Sequence, residues 1–226
     1  MNPAEAYLPI DRRLALTSAR PLPHADRGAA LFVDISGFTP LTGALLQRYG
    51  ARRGAEELTR QLNRVYSALI AEVERYRGTV IGFSGDAITC WFAAQTTTVE
   101  ATASAISAAL AIQATMAQFR TIRLGAQDVI ALAVKTAIAA GPVRRFTVGD
   151  PAVQLIDVLA GATLDRMAAT EQLAQQHELL MDEQSVAPLG ERVTIEAWRT
   201  DSAGQRYALV SALQPPAPPQ PWPPMP

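Results

Sequence analysis

The stretch Ala29–Thr39, AALFVDISGFT, carries an apolar run broken only at Asp34, followed at once by a small turn around Gly37. Such a run, rich in β-branched residues and without polar alternation, predicts a strand buried on both faces. A carboxylate is out of place there unless something binds it. The stretch therefore predicts a core strand whose end delivers an acid to a site.

Outward from this strand the pattern is α+β throughout. Glu56–Tyr76 repeats apolar residues at three- and four-residue intervals, Leu58, Leu62, Val65, Leu69, Ile70 and Val73, and predicts a long amphipathic helix. GTVIGFSGDAITCWF gives two short strands, Thr79 to Phe83 and Ala87 to Phe92, joined through Ser84, Gly85 and Asp86 as a tight hairpin. Thr97 to Phe119 is alanine-rich and free of proline and glycine, which predicts a helix. Val129 to Ala139 predicts a strand ending at Gly141, VRRFTVGD and VQLIDVLAG add strand material, and Thr163 to Gln175 predicts a helix. ELLMDEQSV, RVTIEAW and RYALVSA close the chain with short strands and a turn of helix. The last twelve residues hold eight of the sixteen prolines and predict an extended linker or tail.

Bulk composition narrows the partners. The 226 residues are 49% hydrophobic, enough for a core, and 20 basic against 21 acidic residues give no field that favours nucleic acid or an anionic membrane. One cysteine and two histidines exclude a disulfide framework and a cysteine-rich zinc site and point to a reducing cytoplasm. Neither a signal peptide nor a membrane span is predicted. Cys90, Trp91 and Phe92 are expected in the core, His177 beside a helix end, and Arg144 and Arg145 in a solvated loop.

Two acids carry the chemistry. Asp34 ends a central strand and Asp86 sits at a hairpin tip, and two such carboxylates with backbone carbonyls and a phosphate make a hard-cation site. The turn ISGFT leads into a helix whose free N–H groups suit a polyphosphate. On the residues alone a second reading stands beside this one: Asp34 caps the turn and Asp86 fills an ordinary hairpin position.

The ordered segments FVDISGFTPLT, GAEELTRQLN and GTVIGFSGDAITCWF, continued by VKTAIAAGPVRRFTVGD and GATLDRMAATEQLA, resemble the catalytic domain of class III nucleotidyl cyclases, which convert ATP or GTP to a cyclic monophosphate. The likeness covers roughly Gly28 to Val186. It is greatest to the first catalytic half of soluble, bicarbonate-responsive adenylyl cyclases and to bacterial multidomain relatives. The "DISGFT" and "GDA" wording favours this class over palm-type polymerases and diguanylate cyclases. The resemblance implies a ferredoxin-like α+β core, a central mostly antiparallel sheet with flanking helices, and an active site shared between two domains. It divides the chain into an N-terminal arm (1–27), a cyclase homology domain (28–213) and a proline-rich linker or tail (214–226).

Carried over by position, Asp34 and Asp86 would hold two Mg²⁺ or Mn²⁺ ions, with the Ile35 carbonyl as a further ligand. The backbone of Ser36, Gly37, Phe38 and Thr39 would contact phosphates, and Lys135, the sole lysine, would hold the triphosphate. Read without the resemblance, Lys135 equally suits a strand lysine whose ammonium reaches water.

The chain departs from the family pattern on the other side of the site. Gly82 stands where the base-reading lysine is expected, and Asp165 and Ala169 stand where the ribose-orienting asparagine and transition-state arginine belong. Arg166 is nearby, three positions before the arginine slot, with a solvated helix face as its expected setting. Bicarbonate activation is not expected, because its lysine and arginine fall at Gly82 and near Ala168. The expectation is a metal-supplying half of an adenylyl cyclase, using ATP ahead of GTP, that acts once paired with a second cyclase domain in trans or in a longer polypeptide. The alternative is a catalytically silent regulatory domain.

Overall fold

The computed structural model describes residues 8–18, 21–123, 129–150 and 153–224. Parts of the expected arm (1–7, 19 and 20) and of the expected tail (225 and 226) lie outside the described residues. The chain runs α1 (Ile10–Thr17), β1 (Ala25–Ser36), α2 (Phe38–Arg75), β2 (Thr79–Ser84), β3 (Ala87–Ala93), α3 (Thr98–Met116), β4 (Ile122–Arg123), β5 (Val129–Ile130), β6 (Ala133–Asp150), β7 (Gln154–Ala160), α4 (Ala162–Leu173), β8 (Leu179–Asp182), α5 (Glu183–Val186), β9 (Val193–Thr200) and β10 (Arg206–Leu213).

Alternation along β1 sets the layers. Ala29, Leu31, Val33 and Ile35 join the large core beneath α2 and α3, while Ala30 packs with Trp91, Ala139, Val143 and Met167 on the other face. Both sides of the strand are covered, which explains its nearly unbroken apolar sequence. The sheet order is β2-β3-β1-β6-β8-β10-β9, with β7 paired to β6. Its first four strands, with α2 and α3, make the β-α-β-β-α-β unit of ferredoxin-like folds. All these neighbours are antiparallel except β6 and β8. The expected α+β architecture is the observed one.

The helices form where their side chains can be buried. In α2 the residues Gln61, Val65, Leu69 and Val73 recur every four positions and are buried, with Leu58 and Leu62 packed alongside. The helix starts at Phe38, well before the expected Glu56, and breaks direction at Gly50, whose φ is 75°. In α3 the Thr97 side chain accepts a hydrogen bond from the Glu100 N–H at 3.2 Å, capping the N-terminus. Buried positions run around most of α3, and its alanines allow close approach on every side.

Three elements differ from their expectations. The predicted strand end at Gly141 is not an end: β6 passes through it to Asp150 and returns as β7, a projecting hairpin. The expected arm contains a helix, α1. The third difference is Arg145, expected in solvent and found 1% exposed.

Arg145 holds α1 to the hairpin. Its guanidinium donates to Asp157 through Nε at 3.0 Å and to Asp11 through Nη2 at 2.8 Å, and its Nη1 also pairs with Asp11. Arg12 completes a four-residue cluster by donating to Asp157 at 3.0 Å. Burial alone would lower the Arg145 pKa, but hydrogen bonds and charge from Asp11 and then Asp157 outweigh it and the net shift is upward. Arg145, a residue of β6, is buried because two acids distant in sequence meet it, a coincidence that no local pattern announces.

Removing one partner of a buried ion cluster leaves uncompensated charge. We expect Asp157→Ala to lower unfolding stability by about 3–5 kcal/mol in denaturant titrations, whereas Arg206→Ala, which breaks the half-exposed pair with Glu183, shifts it by less than about 1 kcal/mol. A second expectation concerns pH. Burial tends to raise the Glu178 pKa, but hydrogen bonds from Arg199 and the Gln175 N–H lower it overall. Its contribution is therefore present above the ordinary glutamate pKa of about 4.3 and lost as pH falls through the depressed folded value. Glu178→Gln should flatten that part of a stability–pH curve.

Candidate active site

The end of β1 and the turn between β2 and β3 adjoin because of strand register. Asp34 lies opposite Ala87 on one side and opposite Lys135 on the other. Next to it, the Ile35 N–H donates to the Asp86 carbonyl at 3.3 Å. Gly85, with φ of 63°, allows the connection to close with only Gly85 and Asp86 outside the strands. The two acids, far apart in sequence, thus come from adjoining backbone.

Their charges converge on one hydroxyl. The Tyr66 pKa is raised, first by burial, then by Asp86, then by Asp34. Tyr66 reaches this corner from α2, its ring edge-on to Phe83 with centroids 5.4 Å apart. It stays neutral. Tyr66 was not singled out in the sequence, where it reads as one more residue of a long amphipathic helix.

Lys135 bridges two acids on the same face. Its Nζ is 3.3 Å from Asp34 Oδ2 and 2.5 Å from Glu171 Oε1. Partial burial works to lower its pKa, but Glu171 and then Asp34 raise it overall, so the ammonium stays charged through the neutral range. Glu171, on α4, is a second residue that the sequence did not mark.

The turn after Asp34 requires its glycine. Gly37 has φ of 103°, and a Cβ there would stand 2.4 Å from the Ala131 carbonyl oxygen. It precedes α2, whose first N–H groups have no partner within the helix. Phe38 is buried, so any phosphate contact there falls to its backbone. The Ser36 hydroxyl is already engaged, donating to the Ala133 carbonyl at 3.4 Å and accepting from Gln176 at 3.0 Å. Thr39 is exposed on the first turn.

The donor set suits a hard divalent cation. Asp34, Asp86 and the Ile35 carbonyl offer oxygen only, and Asp34 already attracts a cation, the Lys135 ammonium. Among the described residues no group of three or more histidines, cysteines and acids forms a ready-made metal cage. A metal at this place would complete its shell with water and substrate phosphates, as Mg²⁺ commonly does.

Gly82, Asp165 and Ala169 stand at the positions expected for the base-reading side. A Cβ at Gly82 would meet nothing within 4 Å, so the place is open. Asp165 and Ala169 line a separate cavity of about 570 Å³. Arg166, expected on a solvated helix face, is instead committed: it donates to Asp182 at 2.6 Å and to the Ala140 carbonyl at 2.5 Å. Cys90, Trp91 and Phe92 are buried as expected, and burial pushes the Cys90 thiol pKa up. Past α4, the His177 N–H donates to the Val134 carbonyl at 2.6 Å, with φ of 69°.

No family model matches the chain. Mouse adenylate cyclase type 10 is 28% identical over 190 residues, covering 84% of this chain and 11% of that protein. The human protein of the same name gives the same identity and coverage. The chain therefore spans about a tenth of the length of these relatives. Among solved structures, the adenylyl cyclase CyaB from P. aeruginosa superimposes with a TM-score of 0.68 at 18% identity, covering 85% of this chain and 97% of that one. The guanylyl cyclase Cya2 gives 0.69 at 20%, covering 85% and 95%. The chain is thus similar in sequence to adenylate cyclase type 10 and has the fold of these cyclase structures.

Gly37→Ala should destabilise by roughly 2 kcal/mol or more, since it adds left-handed strain to a backbone clash. Gly43→Ala, in open helical surroundings on α2, should instead stabilise by about 0.5–1 kcal/mol. Thermal or chemical denaturation of the two variants checks the contrast.

Proposed function

We propose that this chain is the metal-supplying half of a class III adenylyl cyclase, converting ATP to cyclic AMP and pyrophosphate when a complementary cyclase domain faces it. The observation that carries the reading is the convergence of Asp34 and Asp86 beside a glycine turn and a helix N-terminus. Two divalent ions bound there would supply charge to activate the ribose 3′-hydroxyl and offset the charge of departing pyrophosphate.

The chain's own residues have distinct parts. Asp34, Asp86 and the Ile35 carbonyl would hold the cations. Backbone N–H groups from Ser36 to Thr39 orient the polyphosphate, and Lys135 moves from Asp34 toward it when nucleotide arrives, with Glu171 keeping the ammonium in reach. ATP is preferred over GTP because the sequence relatives are adenylate cyclases. The sole cysteine, buried and unpaired, suits a cytoplasmic setting.

A second reading, a silent regulatory cyclase-homology domain, draws on Gly82, Asp165 and Ala169, none of which can take the base-reading or transition-state roles. Arg166 is no substitute while it holds Asp182. One assay separates the two: the chain mixed with a cyclase domain carrying the missing lysine, asparagine and arginine, plus ATP and Mg²⁺ or Mn²⁺, read as cyclic AMP. Pairing should raise output well above either partner alone, and Asp34→Ala should cut it by at least about 10²-fold. Output unchanged by Asp34→Ala, or full activity of the chain alone, overturns the proposal.

A further inference from the structure

The proline-rich segment after β10 is docked. The Gln214 N–H donates to the Arg192 carbonyl at 2.7 Å, the Ala217 N–H to Ser107 Oγ on α3 at 3.0 Å, and the Gln220 N–H to the Arg75 carbonyl at 2.8 Å. Trp222 donates from its indole N–H to the Gly78 carbonyl at 2.7 Å, and the Arg77 guanidinium stands 4.7 Å over its ring. Ala217 is buried in the main core.

Beneath this segment, against α3 and the end of α2, lies a cavity of about 450 Å³, within the range of small-molecule sites. Phe92, Ala101 and Pro215–Pro216 give it apolar walls, and Arg77 and Arg192 both line it. These two arginines differ from the partly buried ones elsewhere, since Arg12, Arg145, Arg166 and Arg199 each hold a carboxylate. Arg77 Nε is buried with no hydrogen-bond partner, and among the described residues the Arg192 guanidinium has no ion pair. The one acid in the lining, Glu100, accepts from the Thr96 hydroxyl and pairs with neither arginine. Two cations thus share a partly open, half-apolar cavity with no counter-charge bonded to them, and a buried unsatisfied donor calls for an acceptor.

We propose that this cavity binds a small organic anion, a carboxylate or phosphate on an apolar body, gripped by Arg77 and Arg192 and covered by the proline-rich segment. It is separate from the catalytic corner. Phe92 pairs with Ala29, near the start of β1, whereas Asp34 is at the far end of the same strand, roughly 17 Å away at 3.3 Å per residue. Because the segment forms one wall, an occupant stabilises its docked position, and ligand and segment are thermodynamically linked.

Calorimetric titration of the full chain with phenyl phosphate, benzoate and inorganic phosphate tests the proposal and separates the two anion types. Saturable binding of phenyl phosphate or benzoate, tighter than inorganic phosphate, is expected. Arg192→Gln, which disturbs no ion pair, should weaken it roughly tenfold, the loss expected for one hydrogen bond between charged groups. Lys135→Ala should leave it unchanged. Absence of binding by either organic anion, equal binding of inorganic phosphate, or loss in Lys135→Ala without loss in Arg192→Gln overturns the proposal.

Discussion

The register of β1 between β3 and β6 is the constraint on which the rest depends. Side chains on a strand alternate with period two, so the pairing that sends Val33 and Ile35 into the main core also turns Asp34 to the opposite face. A slip by one residue would bury the carboxylate beneath α2 and expose two β-branched residues. The apolar burial of one row therefore fixes the position of the acid in the other. The same register puts Lys135 opposite Asp34 and brings the Asp86 backbone beside Ile35. Packing alone delivers the ionisable groups to one corner.

That arrangement answers why a buried strand ends in a carboxylate. Asp34 is neither fully desolvated nor unpartnered: its side chain is 26% exposed and faces an ammonium. Lys135 holds Asp34 and Glu171 at once, so the site carries its own counter-charge before any ligand arrives. On the reading proposed here, Asp34 would hold a cation in place of the ammonium, and Glu171 would keep Lys135 nearby. A polyphosphate then has a mobile cation at hand, one that needs to swing rather than be recruited.

How much of this was legible in the sequence follows from how local each signal was. The burial of β1, the hairpin with Asp86 at its tip and the second half of α2 rest on periodicity and turn residues within a few positions, and they were readable. The continuation of β6 through Gly141 was not, because glycine normally punctuates and only the partner strand β7 reveals that it does not here. Arg145 and Arg166 were read as solvated because their partners, Asp11, Asp157 and Asp182, are distant in sequence. Asp34 and Asp86 were found through motif wording. Tyr66 and Glu171 were missed, since each joins the corner only through helix packing and carries no motif of its own. The proline-rich segment misled through composition: proline excludes regular structure but not docking, and its backbone donors at Ala217 and Gln220 found acceptors on the helices.

The two halves of the candidate site are unequal in a way that bears on assembly. The residues that the proposed metal half needs, Asp34, Asp86 and the Ile35 carbonyl, lie on a core strand or in a tight turn, beside an obligatory glycine turn. On the proposed reading Gly82, Asp165 and Ala169 occupy the base-reading positions: a Cβ at Gly82 would meet nothing within 4 Å, and Asp165 and Ala169 line a cavity. Arg166, near those positions, holds Asp182 and the Ala140 carbonyl. If the proposal holds, a pair of identical copies would bring together two surfaces without the base-reading residues, each facing a corner that it cannot complete. On the proposed reading this asymmetry calls for a different partner, and the presence of both aspartates beside a charged lysine favours turnover over a silent domain.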